Sequence, residues 1–489
     1  MRLKLRPVLA ACAAAAIAAC SSSSAPDVEI DVVGTEGAPF ETGVRLPEAG
    51  QLVRAATAEG LVALDAQGRV IPALADRWIV TDDGLSYIFR LRDGTWPDGS
   101  EITGESVRAA LRQALGAIGQ TPLGQEFAVI DEIRAMTGRV IEIRLSHSAP
   151  DLIQLLAQPE LGLFNKGRGS GPLTLKREGP LALLSPIPPG KLGLPQPPDW
   201  TDAARSLRLH AVSAATATRR FADREVDVVL GGHFEGWPLA DAVAGLSRRV
   251  LRYDPVGGLF GLVVVRPTGP LEAAELRETL AMAIDRDALA AALAPGGWTP
   301  SSRVVGADPE AVAGTIGERW SGLSLLQRRA EGAARIGRWK AKHGAFAPLR
   351  LALPEGPGAD LLFAMVRADL ATIGVAAVRA GRGEADLQLI DLTARYARPE
   401  WYLGQLSCAA RRGLCSDVAD ARLADARAAD DPVRRAALLG EAEAELTGAN
   451  VYIPLGSPVR WSLVRDRVSG FSINSAGFHP LTAFALPPR

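Results

Sequence analysis

Between Gly60 and Leu115 the chain alternates short apolar runs with turn signals. Leu61-Val62-Ala63-Leu64 and Val70-Ile71 flank the turn Asp65-Ala66-Gln67-Gly68. Trp78-Ile79-Val80 and Tyr87-Ile88-Phe89-Arg90-Leu91 flank Asp82-Asp83-Gly84, which predicts a hairpin. Thr103 is placed to cap a helix over Glu105 to Leu115, because apolar residues at 107, 111, 114 and 115 share one helical face. The pattern predicts a strand-rich block closed by a helix.

A Pro- and Gly-heavy stretch from Gly167 to Pro198 reads as long surface connections. Beyond it, Leu207 to Val212 reads as a strand, Ala214 to Ala222 as a helix and Val226 to Leu230 as a buried strand, the order of an α/β lobe. Leu259 to Val265 is a further strand. Pro270 then opens a helix with Leu276, Leu280, Ala283 and Ile284 on one face. A strand at Leu349 to Leu353, a helix at Gly358 to Ile373 and a strand at Ala385 to Leu392 repeat the pattern and predict a second α/β lobe. Asp431-Pro432 pairs an N-cap with proline at the first helical position, opening a helix to about Leu446. Strands at Val451 to Leu455 and Val459 to Val464 close the pattern.

The amino end bears on where the chain works. Arg2, Lys4 and Arg6 precede an apolar run from Pro7 to Ala19, then Cys20 and four serines. The run is shorter than the ~20 residues a membrane-spanning helix needs, so residues 1–19 read as a secretory signal. Ile17-Ala18-Ala19-Cys20 resembles a bacterial lipobox, in which Cys20 receives a diacylglyceryl thioether and becomes the mature end. Residues 20–30 then form a flexible tether. The competing reading is an ordinary signal peptide with a chance cysteine. The mature body keeps Cys408 and Cys415 besides Cys20, and an oxidising compartment would let that pair close a small-loop disulfide, with two free thiols as the alternative.

Length and charge narrow the function. At 489 residues the chain exceeds what one core organises, so two to four folding units are expected. Lys plus Arg total 54 against 55 Asp plus Glu, leaving no basic excess to condense on phosphates, and a nucleic-acid role is disfavoured. His147, His210, His233, His343 and His479 show no spacing that would set metal ligands on one face. Ser170 lacks the first glycine of a nucleophile elbow, and Gly190-Lys191 lacks the flanks of a phosphate loop. No catalytic residue, cofactor or metal is expected.

The segment from Leu61 to Leu115 closely resembles the extracellular solute-binding proteins of family 5, which serve peptide and nickel ABC importers. Pro72-Ala73-Leu74-Ala75, Trp78, Asp82-Asp83-Gly84-Leu85, Leu91-Arg92-Asp93-Gly94 and Asp98-Gly99 agree in order. Later landmarks follow: Gly169-Ser170-Gly171-Pro172-Leu173, Glu225-Val226-Asp227, the helix at Leu276 to Leu289, Ile453-Pro454-Leu455 and Val468-Ser469-Gly470-Phe471.

The resemblance implies a two-lobed α/β periplasmic binding protein, type II and cluster C-like. It implies a first lobe over 31–256 with a strand-rich subdomain at about 61–164, a second lobe over 257–454, and a return to the first over 455–489. Crossovers would lie near Asp254 to Leu262 and Tyr452 to Ser457, and Pro255-Val256-Gly257-Gly258 is flexible enough to absorb a hinge rotation. Implied partners are a peptide-like or anionic small solute, ABC permease and ATPase subunits, and the membrane through the lipid anchor. A monomer facing the periplasm is expected. Rival readings are a diverged envelope receptor or chaperone-like binder, and an envelope hydrolase.

Trp96, Trp237, Tyr396, Trp401, Tyr402 and Trp461 are candidate ligand contacts, against ordinary packing. Arg395 and Arg460 could grip a carboxylate with a bidentate fork, against plain surface arginine. Peptide-binding relatives often read Asp-Tyr-x-Asp-Pro where this chain reads Arg395-Tyr396-Ala397-Arg398-Pro399, and there the first Asp pairs with the ligand's ammonium. An arginine repels that group, so peptides with a free α-amino end are expected to be poor ligands and anionic or neutral solutes better ones.

Overall fold

Two sheets divide the work of the chain. The computed structural model describes residues 26–245, 249–293, 298–306, 319–429 and 431–486, so the leader and Cys20 lie outside the described residues. The larger sheet has seven strands in the order Leu173–Glu178, Leu181–Pro186, Leu207–Val212, Val28–Val33, Val228–His233, Arg460–Val464 and Leu251–Tyr253. Val28–Val33 runs parallel to both neighbours. Val28, Ile30 and Val32 are buried, as expected of a central parallel strand covered on both faces. This strand opens inside the stretch expected as tether, because Val28 already pairs with Leu207.

The smaller sheet has the order Ala377–Arg379, Leu349–Ala352, Leu387–Thr393, Gly258–Val264 and Tyr452–Gly456. The chain therefore leaves the first sheet after Tyr253, enters the second at Gly258, and returns between Gly456 and Arg460. Gly258 has φ 149°, and a Cβ there would strike the Leu392 carbonyl, so the crossing strand needs glycine at its first position.

A third, four-stranded antiparallel sheet forms the strand-rich block: Ala75–Val80, Ser86–Leu91, Val140–Leu145 and Ile130–Met136. The predicted hairpin is its first pair, with Trp78 opposite Phe89. Helix Gly104–Ile118 packs on it. The Thr103 hydroxyl accepts from the Ser106 amide, and Ser106 Oγ accepts from the Thr103 amide, a reciprocal cap.

Two local readings are corrected. The stretch from Gly167 to Pro198 contains a hairpin, Leu173–Glu178 with Leu181–Pro186, because its prolines sit at the ends and leave the interior free to pair. The helix expected from Pro270 onward is a 3-10 turn, Gly269–Glu272, followed by Ala274–Ala283. Extended backbone at Ile284 then ends that helix, and Asp285 caps a separate one, Arg286–Leu293, by accepting from the Ala288 amide. Asp431 caps Pro432–Ala449 as read, accepting from the Val433 and Arg434 amides.

The apolar core is shared across the lobes. Phe89, Trp96 and Phe127 of the strand-rich block belong to one contiguous cluster with Tyr402, Leu423 and Leu439 of the second lobe. Phe234 of the first lobe meets Phe260 of the second edge to face, with ring centroids 4.9 Å apart. Each large side chain buried there contributes roughly 1.5–3 kcal/mol.

Candidate functional site

Charged groups from both sheets meet where strands of the two lobes end. Val228–His233 delivers His233 at its C-terminal end, and Arg460–Val464 delivers Arg460 at its start. Opposite, Leu387–Thr393 carries Asp391 in an otherwise apolar strand. The carboxyl ends of strands are where open α/β sheets bind ligands.

Arg460 Nη1 donates to Asp391 Oδ1 at 2.8 Å. His233 Nδ1 lies 3.5 Å from Asp391 Oδ2, and its Nε2 lies 3.3 Å from Glu48 Oε2. Burial and the Arg460 charge oppose protonation of His233, yet the Asp391 and Glu48 carboxylates outweigh them and raise its pKa to about 9. The same contacts hold Glu48 and Asp391 below the usual carboxylate range against the cost of burial. Glu235, beside this group, is pushed up by burial. His233, Glu235 and Asp391 each bring one potential ligand atom within 4.8 Å of the others. Asp391 is already engaged by Arg460 and His233 by Glu48, so the trio suits an interlobe bridge better than an ion.

The sequence candidates divide between packing and bridging. Trp96 is 1% exposed within the strand-rich core, where its indole donates to Ser106 Oγ, so it is a packing residue there. Trp461 is 1% exposed and donates to the His233 carbonyl, fixing the strand end that presents His233. Trp237 is half-buried and donates to Tyr253 Oη at 2.6 Å. Trp401 and Tyr402 are buried and meet edge to face, with Tyr402 Oη under the Gly257 crossing.

Arg395 is not a free fork. It donates to both oxygens of Glu160 at 2.6 and 3.1 Å and to Gln158 at 2.7 Å. Its charge is therefore answered from the first lobe, which removes the repulsion expected toward a ligand ammonium. Arg460 is likewise occupied by Asp391. Tyr396 Oη donates to Glu126 at 2.7 Å, and Arg398 Nε donates to Asp151 at 3.1 Å. Burial and the Glu126 charge raise the Tyr396 hydroxyl well above its ordinary range, so it remains a donor.

Three consecutive-motif residues of the second lobe thus each meet a first-lobe partner. Cys408 and Cys415 are joined as a disulfide in the second lobe. Glu48, His233, Glu235 and Asp391 were not singled out from sequence. Their convergence exists only in the fold, although a lone aspartate inside Leu387–Thr393 was a usable signal.

Beside Glu235 the lobes touch through backbone. Gly358, in the first turn of Pro357–Thr372, lies so close to the Phe234 carbonyl that a Cβ would collide with it. This contact brings the helix N-terminus of the second lobe onto the loop carrying Glu235.

Comparison with known proteins agrees with this fold. Residues 69–378 match the family described as bacterial extracellular solute-binding proteins, family 5 middle. The murein tripeptide binding protein MppA of Escherichia coli superposes with a TM-score of 0.80 at 16% identity, covering 96% of this chain and all of that one (100%). OppA of Haemophilus influenzae, solved with the peptide RPPGFSPFR, superposes at 0.74 with 16% identity over 93% of this chain and 97% of its own. By sequence, a probable di/tripeptide-binding protein of Pseudomonas aeruginosa is 22% identical over 87% of this chain and 89% of its own length. A shorter match, 31% identical, links 21% of the chain to 23% of the probable deoxycholate-binding periplasmic protein YgiS of Escherichia coli K12. Proteins of this kind bind solutes for ABC importers and are not enzymes, and among the described residues no helix is long and apolar enough to cross a membrane. With its two lobes, its strand-rich block and the family match across most of its length, the chain belongs to the bacterial extracellular solute-binding proteins of family 5.

Proposed function

We propose that the chain captures a peptide-like or other small solute between its lobes by hinge closure and hands it to a membrane permease. Cys20 would hold it as a monomeric lipoprotein on the periplasmic face of the envelope. The first lobe would run from the strand at Val28 to residue 256, with the subdomain at 61–164, the second would span 257–456, and the return to the first would follow from 457. The observation that carries this reading is the pair of strand crossings, Tyr253 to Gly258 and Gly456 to Arg460, with the Arg460–Asp391 bridge joining the two sheets beside them. Rotation about such crossings separates the lobes while leaving each sheet intact.

The ligand class follows from Arg395. With its guanidinium engaged by Glu160 and Gln158, this position reads neither an ammonium nor a carboxylate. Recognition of a free α-amino end is therefore not expected there. Calorimetric titration of the purified mature protein with di- to pentapeptides and their N-acetylated counterparts tests it. Equal affinity within each pair is the expected result. Binding lost on acetylation would overturn the ligand class, and failure of every bound solute to support uptake with a permease would overturn the import reading.

A further inference from the structure

A cavity of about 200 Å³ lies between the strand-rich block and the helices of the second lobe. At the ≈30 Å³ each water occupies in the liquid, it holds roughly seven waters, or a solute of about seven to ten non-hydrogen atoms. Its charged lining comes from both sides: Glu126 and Asp151 from the first lobe, and Arg398, Glu400, Arg427 and Arg435 from the second.

Cancelling the internal pairs leaves a remainder. Asp151 is taken by Arg398, and Glu126 accepts from Tyr396. Arg427 pairs with Glu126 at 3.9 Å, an ion pair too long to be a hydrogen bond, so its N–H donors are not spent on that carboxylate. Arg435 donates through Nε and Nη2 to one acceptor, the Ala429 carbonyl. Each guanidinium carries five N–H donors, so two arginines with spare donors face one space. Glu400 has no ion-pair partner among the described residues and sits in the first turn of Pro399–Gln405. Spare donors suit a carboxylate, which a guanidinium grips through two parallel bonds, and the unmatched glutamate suits an ammonium.

We propose that this seam cavity is a second binding site for a small zwitterion, its carboxylate held by Arg427 and Arg435 and its ammonium by Glu400. Because its walls come from both lobes, occupation ties them together. The site does not depend on the import reading.

Calorimetry on the mature protein with γ-aminobutyrate and glutamine as zwitterions, succinate as diacid and 1,4-diaminobutane as diamine decides the matter. One or both zwitterions are expected to bind, at least tenfold more tightly than diacid or diamine. Arg427→Ala combined with Arg435→Ala should weaken that binding at least tenfold, Glu400→Gln should weaken it several-fold, and Lys176→Ala, on the exposed strand Leu173–Glu178 at the far edge of the larger sheet, should leave it unchanged. Unaltered circular dichroism of each variant separates lost binding from lost folding, and Arg427→Ala alone spares the Arg435 bond to Ala429. No zwitterion binding, preference for succinate or diamine, or binding indifferent to these arginines would overturn the proposal.

Discussion

Asp391 of the second lobe accepts a 2.8 Å hydrogen bond from Arg460 of the first, and both side chains are nearly buried. Removing one charge of such a pair leaves the other desolvated and unanswered, a loss of up to about 3–5 kcal/mol. Asp391→Asn is expected to lower the midpoint of chemical unfolding and to raise the ligand-free radius of gyration in small-angle scattering. An unchanged radius would mean that the pair does not hold the lobes together.

His233 sits between Glu48 of the first lobe and Asp391 of the second, so its charge acts on both. With the pKa raised from 6.5 to about 9, its stabilisation is complete below the unfolded value and is lost as pH climbs through about 9. Denaturation midpoints measured from pH 6 to 10 should fall across that window, and His233→Gln should remove this share of the fall. Parallel profiles for parent and variant would refute the bridging role.

Gly358 tests the backbone contact between the lobes. Any side chain there meets the Phe234 carbonyl, so Gly358→Val should force the lobes apart. The expected result is at least tenfold weaker solute binding in calorimetry with secondary structure retained, since the helix Pro357–Thr372 tolerates a side chain at that position.

The Cys408–Cys415 bridge closes a short loop, with a sequence separation of 7. Loop-closure entropy for that length corresponds to roughly 2–3 kcal/mol. Cys408→Ser with Cys415→Ser should lower the thermal midpoint to match, and added reductant should reproduce the shift in the parent protein but leave the variant unmoved.

Cys20→Ala should move the protein from the detergent-rich to the aqueous phase on detergent partitioning of whole-cell extract. Retention in the detergent phase would rule out Cys20 as the anchor.

Much of the architecture was legible because it rests on local patterns. The strand Leu207–Val212 and helix Ala214–Ala222 have the residues read from sequence, since alternation and a serine cap specify them without distant help. The break at Ile284 was not legible, because an unbroken apolar face continues through it and only the Asp285 cap marks the new start. At the site, aromatic residues drew attention by type, yet Trp96 and Trp461 are packed away. The charges that meet between the lobes are far apart in the chain: Glu48, His233 and Asp391 lie on three elements of two lobes. No spacing rule links them, and the Arg395 pairing depends on Glu160, which only the fold brings near.

The place of Arg460–Val464 inside the larger sheet has a consequence for biogenesis. The second sheet draws all its strands from one continuous stretch, Gly258 to Gly456, and can assemble as soon as that stretch has emerged. The larger sheet must wait for a strand made almost last, which slots between Val228–His233 and Leu251–Tyr253. During export the early half therefore stays incomplete until nearly the whole polypeptide has crossed, with Leu463 and Val464 supplying the final stitch.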